Sequence, residues 1–278
     1  MESFPKVSAE AFQLIAAYVQ QCSGINLDQS KDYLVESRLL PLLTETGCST
    51  YLELYQRIRA DASGVLTARL IDAISTQETS FYRDQTPFDL LTHKLLPEHR
   101  ARAMADGTRR LRIWSAACAT GQEAYSLAMT VRQVFGDLNG WQVEVLGTDI
   151  STAAIARASA GLYSQLEIER GAILEKMRRY FFRVGKMWRI GEEIRTLTRF
   201  AKLNLLDLPP DLGRFDFILC RNVAIYFGLA EKKRLLEQLT VHLQPHGTLI
   251  LGSTETLHGI SERYIERRSD RAIYYQLR

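Results

Sequence analysis

Glycine is missing where a dinucleotide enzyme would need it, cysteine is sparse, and no apolar run approaches the roughly 20 residues that cross a bilayer. Each shortage excludes something. The four cysteines, Cys22, Cys48, Cys118 and Cys220, form no C-x-x-C pair and have no histidine at ligand spacing. That pattern argues against a zinc site or a disulfide framework. His93, His99, His242, His246 and His258 share no spacing that suggests a metal, so none is expected. The first residues lack a charged-then-apolar signal segment, and the expectation is a cytoplasmic protein with no membrane insertion. A formal charge of +3 is too small to argue for nucleic acid. Its distribution is uneven: residues 1–75 hold six Lys/Arg against nine Asp/Glu, leaving the remainder mildly basic. Internal repeats and low-complexity tracts are absent. What is present suffices for two ordinary domains, with 278 residues, 46% hydrophobic and 24% charged.

The first 75 residues read as helices with their usual punctuation. Ser8 caps a segment carrying Phe12, Ile15, Ala16 and Val19, ended by Gly24. A second runs from about Asp28 to Gly47, a third from Thr50 to Arg59, and a fourth from Leu66 to Ile74. After Ser75 a helix from Phe88 to about Arg102 leads to short apolar runs that alternate with amphipathic helices. The strands expected are Leu111–Ala117, Val143–Thr148, Phe215–Cys220 and Thr248–Gly252, with helices from Glu123, Thr152 and Ala230. That alternation marks a parallel sheet covered on both faces. Tyr264–Arg268 and Ala272–Leu277 form a closing antiparallel hairpin about Ser269-Asp270. The interval from Gly161 to Asn204 is too long for one crossover. It predicts a β-rich insertion with a helix, Ile173–Phe182, and two strands, Met187–Ile190 and Ile194–Leu197.

In open α/β sheets ligands sit beyond the carboxyl ends of the strands, and three such ends here are polar. The first is Trp114–Glu123, whose small residues allow close backbone approach but whose single glycine does not make a G-x-G-x-x-G. Tight strand–helix packing would explain the same turn. The second is Gly147-Thr148-Asp149, where a carboxylate suits the two ribose hydroxyls or, alternatively, a helix cap. The third is Cys220–Phe227, an Arg-Asn pair followed by an aromatic pair. Upstream of it, Asn204 and Leu205 are suitable types for the edge and face of an adenine ring. Between the two halves lies Ser75–Asp84, too rich in hydrogen-bonding groups and aromatics for a simple linker.

Together these segments closely resemble the CheR family of chemotaxis receptor glutamate methyltransferases, in order and through nearly the whole chain. The resemblance rests on Thr76–Asp84, Trp114–Glu123 with its following Ala-Tyr-Ser, Gly147–Ile150, Asn204-Leu205-Leu206, Phe215-Asp216, and Arg221-Asn222-Val223 with Ile225-Tyr226-Phe227. It implies a class I (Rossmann-like) methyltransferase sheet of the α/β class. That catalytic domain would span residues 76–278, preceded by a helical domain at 1–75 and carrying a small antiparallel β-subdomain at about 161–200. The implied cofactor is S-adenosylmethionine, with S-adenosylhomocysteine as product. Its implied contacts are Gln77, Thr79, Arg83, Glu123, Asp149, Asn204, Leu205, Arg221 and Asn222. The family usually has asparagine at the Gln77 position. Tyr226 corresponds to a tyrosine close to the reacting centre, and an arginine in the helix before strand one is implied, for which Arg100 and Arg102 both qualify.

The reaction so implied needs no general base, because a glutamate with a pKa of about 4.3 is already ionised at neutral pH. The lack of a His/Asp dyad agrees with that. The implied partner is the cytoplasmic helical bundle of a chemoreceptor, docked on the helical domain, where Arg38, Arg57 and Arg59 are either anchors or a solvated face. Phe182–Arg189 is too short for the glycine-containing loop with which some members of the resembled family grip a receptor's C-terminal peptide, so action without that tether is expected. Two rival readings remain. One is a methyltransferase of the same fold acting on RNA or a small molecule, which the absent N/D-P-P-Y motif disfavours. The other is a non-catalytic module that binds S-adenosylmethionine.

Overall fold

The computed structural model describes residues 5–171 and 175–278. The first part is helical, as its periodicity predicts. Helix α1 (Ala9–Ser23) begins where the Ser8 side chain accepts a hydrogen bond from Ala11 N–H, and it buries Phe12, Ile15 and Val19. Helix α2 (Asp32–Thr46) ends at left-handed Gly47, and Thr50 caps α3 (Tyr51–Ala60). Helix α4 (Val65–Ile74) packs against α2, and the four share a core of their own around Ile15, Leu39, Leu54 and Leu70.

Helix α5 (Thr86–Leu90) continues through a π-helical turn, Leu91–Leu95, into α6 (Leu96–Ala105). There follow β1 (Arg110–Ala116), α7 (Gln122–Phe135), β2 (Gln142–Asp149) and α8 (Thr152–Ala160). The insertion contains β3 (Leu162–Ser164), α9 (Gln165–Arg170), α10 (Glu175–Arg178), β4 (Phe181–Val184), β5 (Met187–Ile190) and α11 (Glu192–Arg195). The main sheet resumes with β6 (Thr198–Lys202), β7 (Phe215–Cys220), α12 (Leu229–His242), β8 (Leu243–Leu251), β9 (Tyr264–Ser269) and β10 (Ala272–Leu277).

Seven strands form one sheet in the order β6-β2-β1-β7-β8-β10-β9. The first five run parallel, and β10 lies antiparallel to both β8 and β9. This is the parallel sheet that the alternation predicts, in the α/β methyltransferase-like architecture that the resemblance implies. From β1 the chain proceeds to the β2 side of the sheet, whereas from β7 it proceeds to the β8 side. That reversal opens a crevice at the strand ends between them. Strand β1 is buried from Ile113 nearly to its end, as a strand covered on both faces must be.

The insertion is a three-stranded antiparallel sheet, β3-β5-β4. Two details differ from the sequence reading. Ile194–Leu197 is not a strand: Gly191 opens the short helix α11, whose first turn carries Glu192 and Glu193 at its positive end. The partner of Met187–Ile190 is instead Phe181–Val184, across the two-residue turn Gly185-Lys186. The helix expected over Ile173–Phe182 is confined to Glu175–Arg178, because Phe181 and Phe182 already pair in the sheet; its start at Ile173 lies outside the described residues. The subdomain is tied to the rest through Phe81, whose ring meets Tyr163 and Phe181 edge-on at centroid distances of 4.9 and 5.2 Å. Among the described residues, no helix is long and apolar enough to cross a membrane.

Candidate active site

The tips of β1, β2, β6 and β7, the segment Ser75–Arg83 and the end of α1 surround one crevice. Its geometry begins at the turn after β1. Gly121 opens α7 at φ +95°, and a Cβ there would lie 2.8 Å from the Cβ of Ala158 and 3.1 Å from the Tyr163 hydroxyl, so glycine alone fits. Ala117 (φ +61°) and Ala119 (φ +48°) take left-handed conformations without glycine's freedom. Tyr82, Asp84 and Asn222 do the same nearby. Among the described residues, five of the seven non-glycine residues with positive φ therefore flank the crevice, which concentrates backbone strain at this one place.

Asp149 stands at the tip of β2, almost fully buried. Its Oδ1 accepts from Ser151 N–H and its Oδ2 from Ala119 N–H, both at 2.9 Å. Burial pushes its carboxyl above the ordinary aspartate value, opposed by those two N–H groups and by the side chain of Gln77. Ser151 caps α8 unaided, accepting from Ala154 N–H, so Asp149 is not consumed as a cap. Gln77 Oε1 is buried with no hydrogen-bond partner. A buried acceptor left open beside a buried carboxylate suits the hydroxyls and ammonium of a nucleoside that carries an amino acid, and apolar Ile150, Leu203 and Leu205 supply faces for a ring.

Behind this opening lies a charged brace. Arg221 Nη1 donates to Glu123 Oε2 at 2.8 Å, and Nη2 donates to Asp84 Oδ2 and to the carbonyl of Arg83, both at 2.9 Å. Glu123 Oε1 accepts from Ser115 Oγ at 2.7 Å. The Arg221 side chain is only 2% exposed, Glu123 13% and Asp84 41%. Asn222 N–H donates to Glu255 Oε2 at 2.7 Å.

All nine residues expected to hold a cofactor line the crevice, together with Tyr226. They do not play equal parts. Glu123 and Arg221 use their hydrogen bonds on each other and on Ser115, Asp84 and the carbonyl of Arg83, and Asn204 bonds through Nδ2 to the carbonyl of Cys22 and through Oδ1 to Leu206 N–H, both at 3.0 Å. Arg100 and Arg102 are elsewhere. Arg100 lies 5.7 Å over the Phe135 ring, and Arg102 donates to His99, which itself bonds the carbonyl of Arg110 at the opposite end of β1. Both arginines lie in the last turns of the helix before β1, at the amino end of that strand, and neither lines the crevice. Arg83, at the crevice with Nη1 on the carbonyl of Glu78, is the arginine in place. The sequence reading missed Asp84 as the partner of Arg221, and also Ser23 and Ile25, which enter the crevice from the helical part. Asp84 could have been singled out by its place beside Arg83; nothing local marked Ser23 or Ile25. Among the described residues, no group of three or more His, Cys, Asp or Glu is arranged to hold a metal ion.

Residues 77–273 match the family "CheR methyltransferase, SAM binding domain", and residues 10–75 match "CheR methyltransferase, all-alpha domain". Among curated proteins, the chain is 37% identical over 270 residues to chemotaxis protein methyltransferase Cher2 of Pseudomonas putida, covering 95% of this chain and 97% of that one. It is 39% identical to chemotaxis protein methyltransferase 1 of Pseudomonas aeruginosa, covering 91% and 92%. Chemotaxis protein methyltransferase 1 of Vibrio cholerae is 36% identical, with 98% of each chain covered. Likeness to solved structures is loose: the glycopeptide N-methyltransferase MtfA complexed with S-adenosyl-L-methionine is 17% identical over 61% of this chain and 55% of that one, with a TM-score of 0.33.

Two outcomes test the site. Replacing Arg221 with leucine strands the Glu123 carboxylate and should cost about 3–5 kcal/mol in urea unfolding, while R221L/E123L recovers part of that loss. We predict that the Asp149 carboxylate, in its ionised form, holds the cofactor, so affinity for S-adenosylhomocysteine should be full above the elevated pKa and weaken as pH falls through it, starting above the ordinary aspartate range. Calorimetric titration should also show Asp149→Asn weakened about ten- to a hundredfold at neutral pH, with that acid dependence gone.

Proposed function

The chain belongs to the CheR methyltransferase family, and we propose that it transfers methyl groups from S-adenosylmethionine to glutamate side-chain carboxylates on the cytoplasmic helical bundle of a chemoreceptor. The observation that carries this reading is the convergence of Gln77, Thr79, Arg83, Asp149, Asn204, Leu205 and Tyr226 on one crevice that no histidine lines and whose Asp149 carboxylate is held by the N–H groups of Ala119 and Ser151. A carboxylate acceptor needs no base.

When bound, S-adenosylmethionine supplies an electrophilic methyl group. The protein's residues then have separable tasks. Asp149 accepts hydrogen bonds from the ribose hydroxyls, and the unpartnered Gln77 Oε1 accepts from a donor beside them. The family's asparagine is replaced by the longer Gln77, which still lines the crevice beside Asp149. Asn204 and Leu205 border the ring. Arg221 and Glu123 shape the floor rather than the contact surface. Arg83 holds a carboxylate at the mouth, and Tyr226 orients groups around the reacting centre. Docking would use the helical domain. There Arg38 turns inward to Thr76 and the carbonyl of Ile74, leaving Arg57 and Arg59 exposed, the latter 4.8 Å over the Tyr18 ring, to face an acidic helix. The two-residue turn between β4 and β5 leaves no loop extension for a receptor peptide, which supports action without a tether.

Incubation with methyl-labelled cofactor and receptor cytoplasmic domains tests the reading. Base-labile ester should appear on receptor glutamates, and Arg83→Met should lower kcat/KM about ten- to a hundredfold, as loss of one charge-assisted hydrogen bond implies. Label on RNA or a small molecule, or cofactor binding without transfer, overturns it. Micromolar binding of the receptor's C-terminal peptide by calorimetry overturns the tether-free part alone.

A further inference from the structure

Helix α1 does not simply lead to the next helix. At Gly24 (φ +76°) the chain turns into a short strap that lies against two crevice loops. The carbonyl of Cys22 accepts from Asn204 Nδ2 at 3.0 Å. Ile25 forms an antiparallel bridge with Phe227, and Asn26 N–H donates to the carbonyl of Tyr226 at 2.9 Å. Contact is close enough that a Cβ on Gly24 would stand 2.3 Å from Leu206 Cδ1 and 3.4 Å from Phe227 Cδ1. Leu206 is in turn fixed by its N–H to Asn204 Oδ1.

We propose that the strap Gly24–Asn26 is a positioning element for Tyr226, so that the helical domain forms part of the reaction centre and is more than a docking platform. This rests on the function proposed above for Tyr226. The tyrosine sits on a single 3-10 turn, Ala224–Tyr226, which follows Asn222 in a left-handed conformation. Within that turn Tyr226 N–H reaches Val223 and Phe227 N–H reaches Ala224, while the Tyr226 carbonyl is held from outside by Asn26. So short a turn has little stability of its own. Methyl transfer depends on in-line placement, and a displacement of about 1 Å can cost about a hundredfold in rate. The Asn26 side chain is exposed, so the strap acts through its backbone N–H.

Asn26→Pro removes that N–H, and the extended Ile25 before it is the conformation a residue preceding proline prefers. Asn26→Ala keeps the N–H. In the receptor methylation assay N26P should lose about ten- to a hundredfold in kcat, with both KM values within about threefold of wild type. Amide exchange at Tyr226 and Phe227 should quicken by at least about tenfold. N26A should match wild type in all of these. Wild-type kcat and exchange in N26P overturn the proposal. So does a loss in which KM, melting temperature and exchange throughout the helical domain move together, the mark of a merely structural role. If N26P does not fold, an ester in place of the amide at residue 26 removes the same donor. Should wild type form no receptor ester, the assigned function falls, and the exchange measurement alone decides the strap.

Discussion

A buried guanidinium fixes the shape of this molecule's working end. Arg221 leaves the tip of β7 for the interior, where its positive charge is tolerable only because Glu123 and Asp84 meet it. Those partners come from the first turn of α7 and from the joint after the helical domain. One side chain therefore locks three separate segments into register around the crevice. Such a cluster adds little to net stability compared with an apolar core of the same volume, but it is expensive to break. Its value is placement. With Arg83 and Asp84 anchored behind it, the joint cannot slide without unpairing a buried charge.

The strain at the strand tips borders the same crevice. Ala117, Ala119 and Asn222 hold left-handed conformations that cost free energy, and the surroundings impose them. Ala119 N–H reaches Asp149, and Asn222 N–H reaches Glu255, so two of the three aim a backbone donor at a carboxylate. Where other nucleotide-binding sheets use glycine, this chain uses alanine and a compensating acceptor. Asp149 is then both a structural acceptor and, with its remaining lone pairs, the group facing the crevice.

Much of this was legible in the sequence, for physical reasons. Strands β1, β7 and β10 are apolar runs flanked by turn residues, and α1 and α3 carry their caps at Ser8 and Thr50, so hydrophobic period and capping located them. The polar strand tips stood out because polar residues at the end of a buried strand have few other uses. Shorter elements were not legible: β3 has three residues, too few for alternation to show, and α11 was mistaken for a strand because its apolar Ile194 and Leu197 fit either period. Arg100 and Arg102 lie away from the crevice because the last turns of a helix that leads into a strand sit at that strand's amino end. The bonds from Asn26 to Tyr226 and from Asn204 to Cys22 join residues about 180 to 200 positions apart, beyond any local pattern.

The central claim is that both parts of the chain close on one crevice that holds the cofactor. Amide exchange with and without S-adenosylhomocysteine tests it most directly. The account predicts protection in five places at once: residues 75–84, 117–123, 149–151, 203–206 and 221–227, with Ser23–Asn26 of the helical part slowed alongside them. Protection confined to the sheet, or centred on other segments, would contradict it.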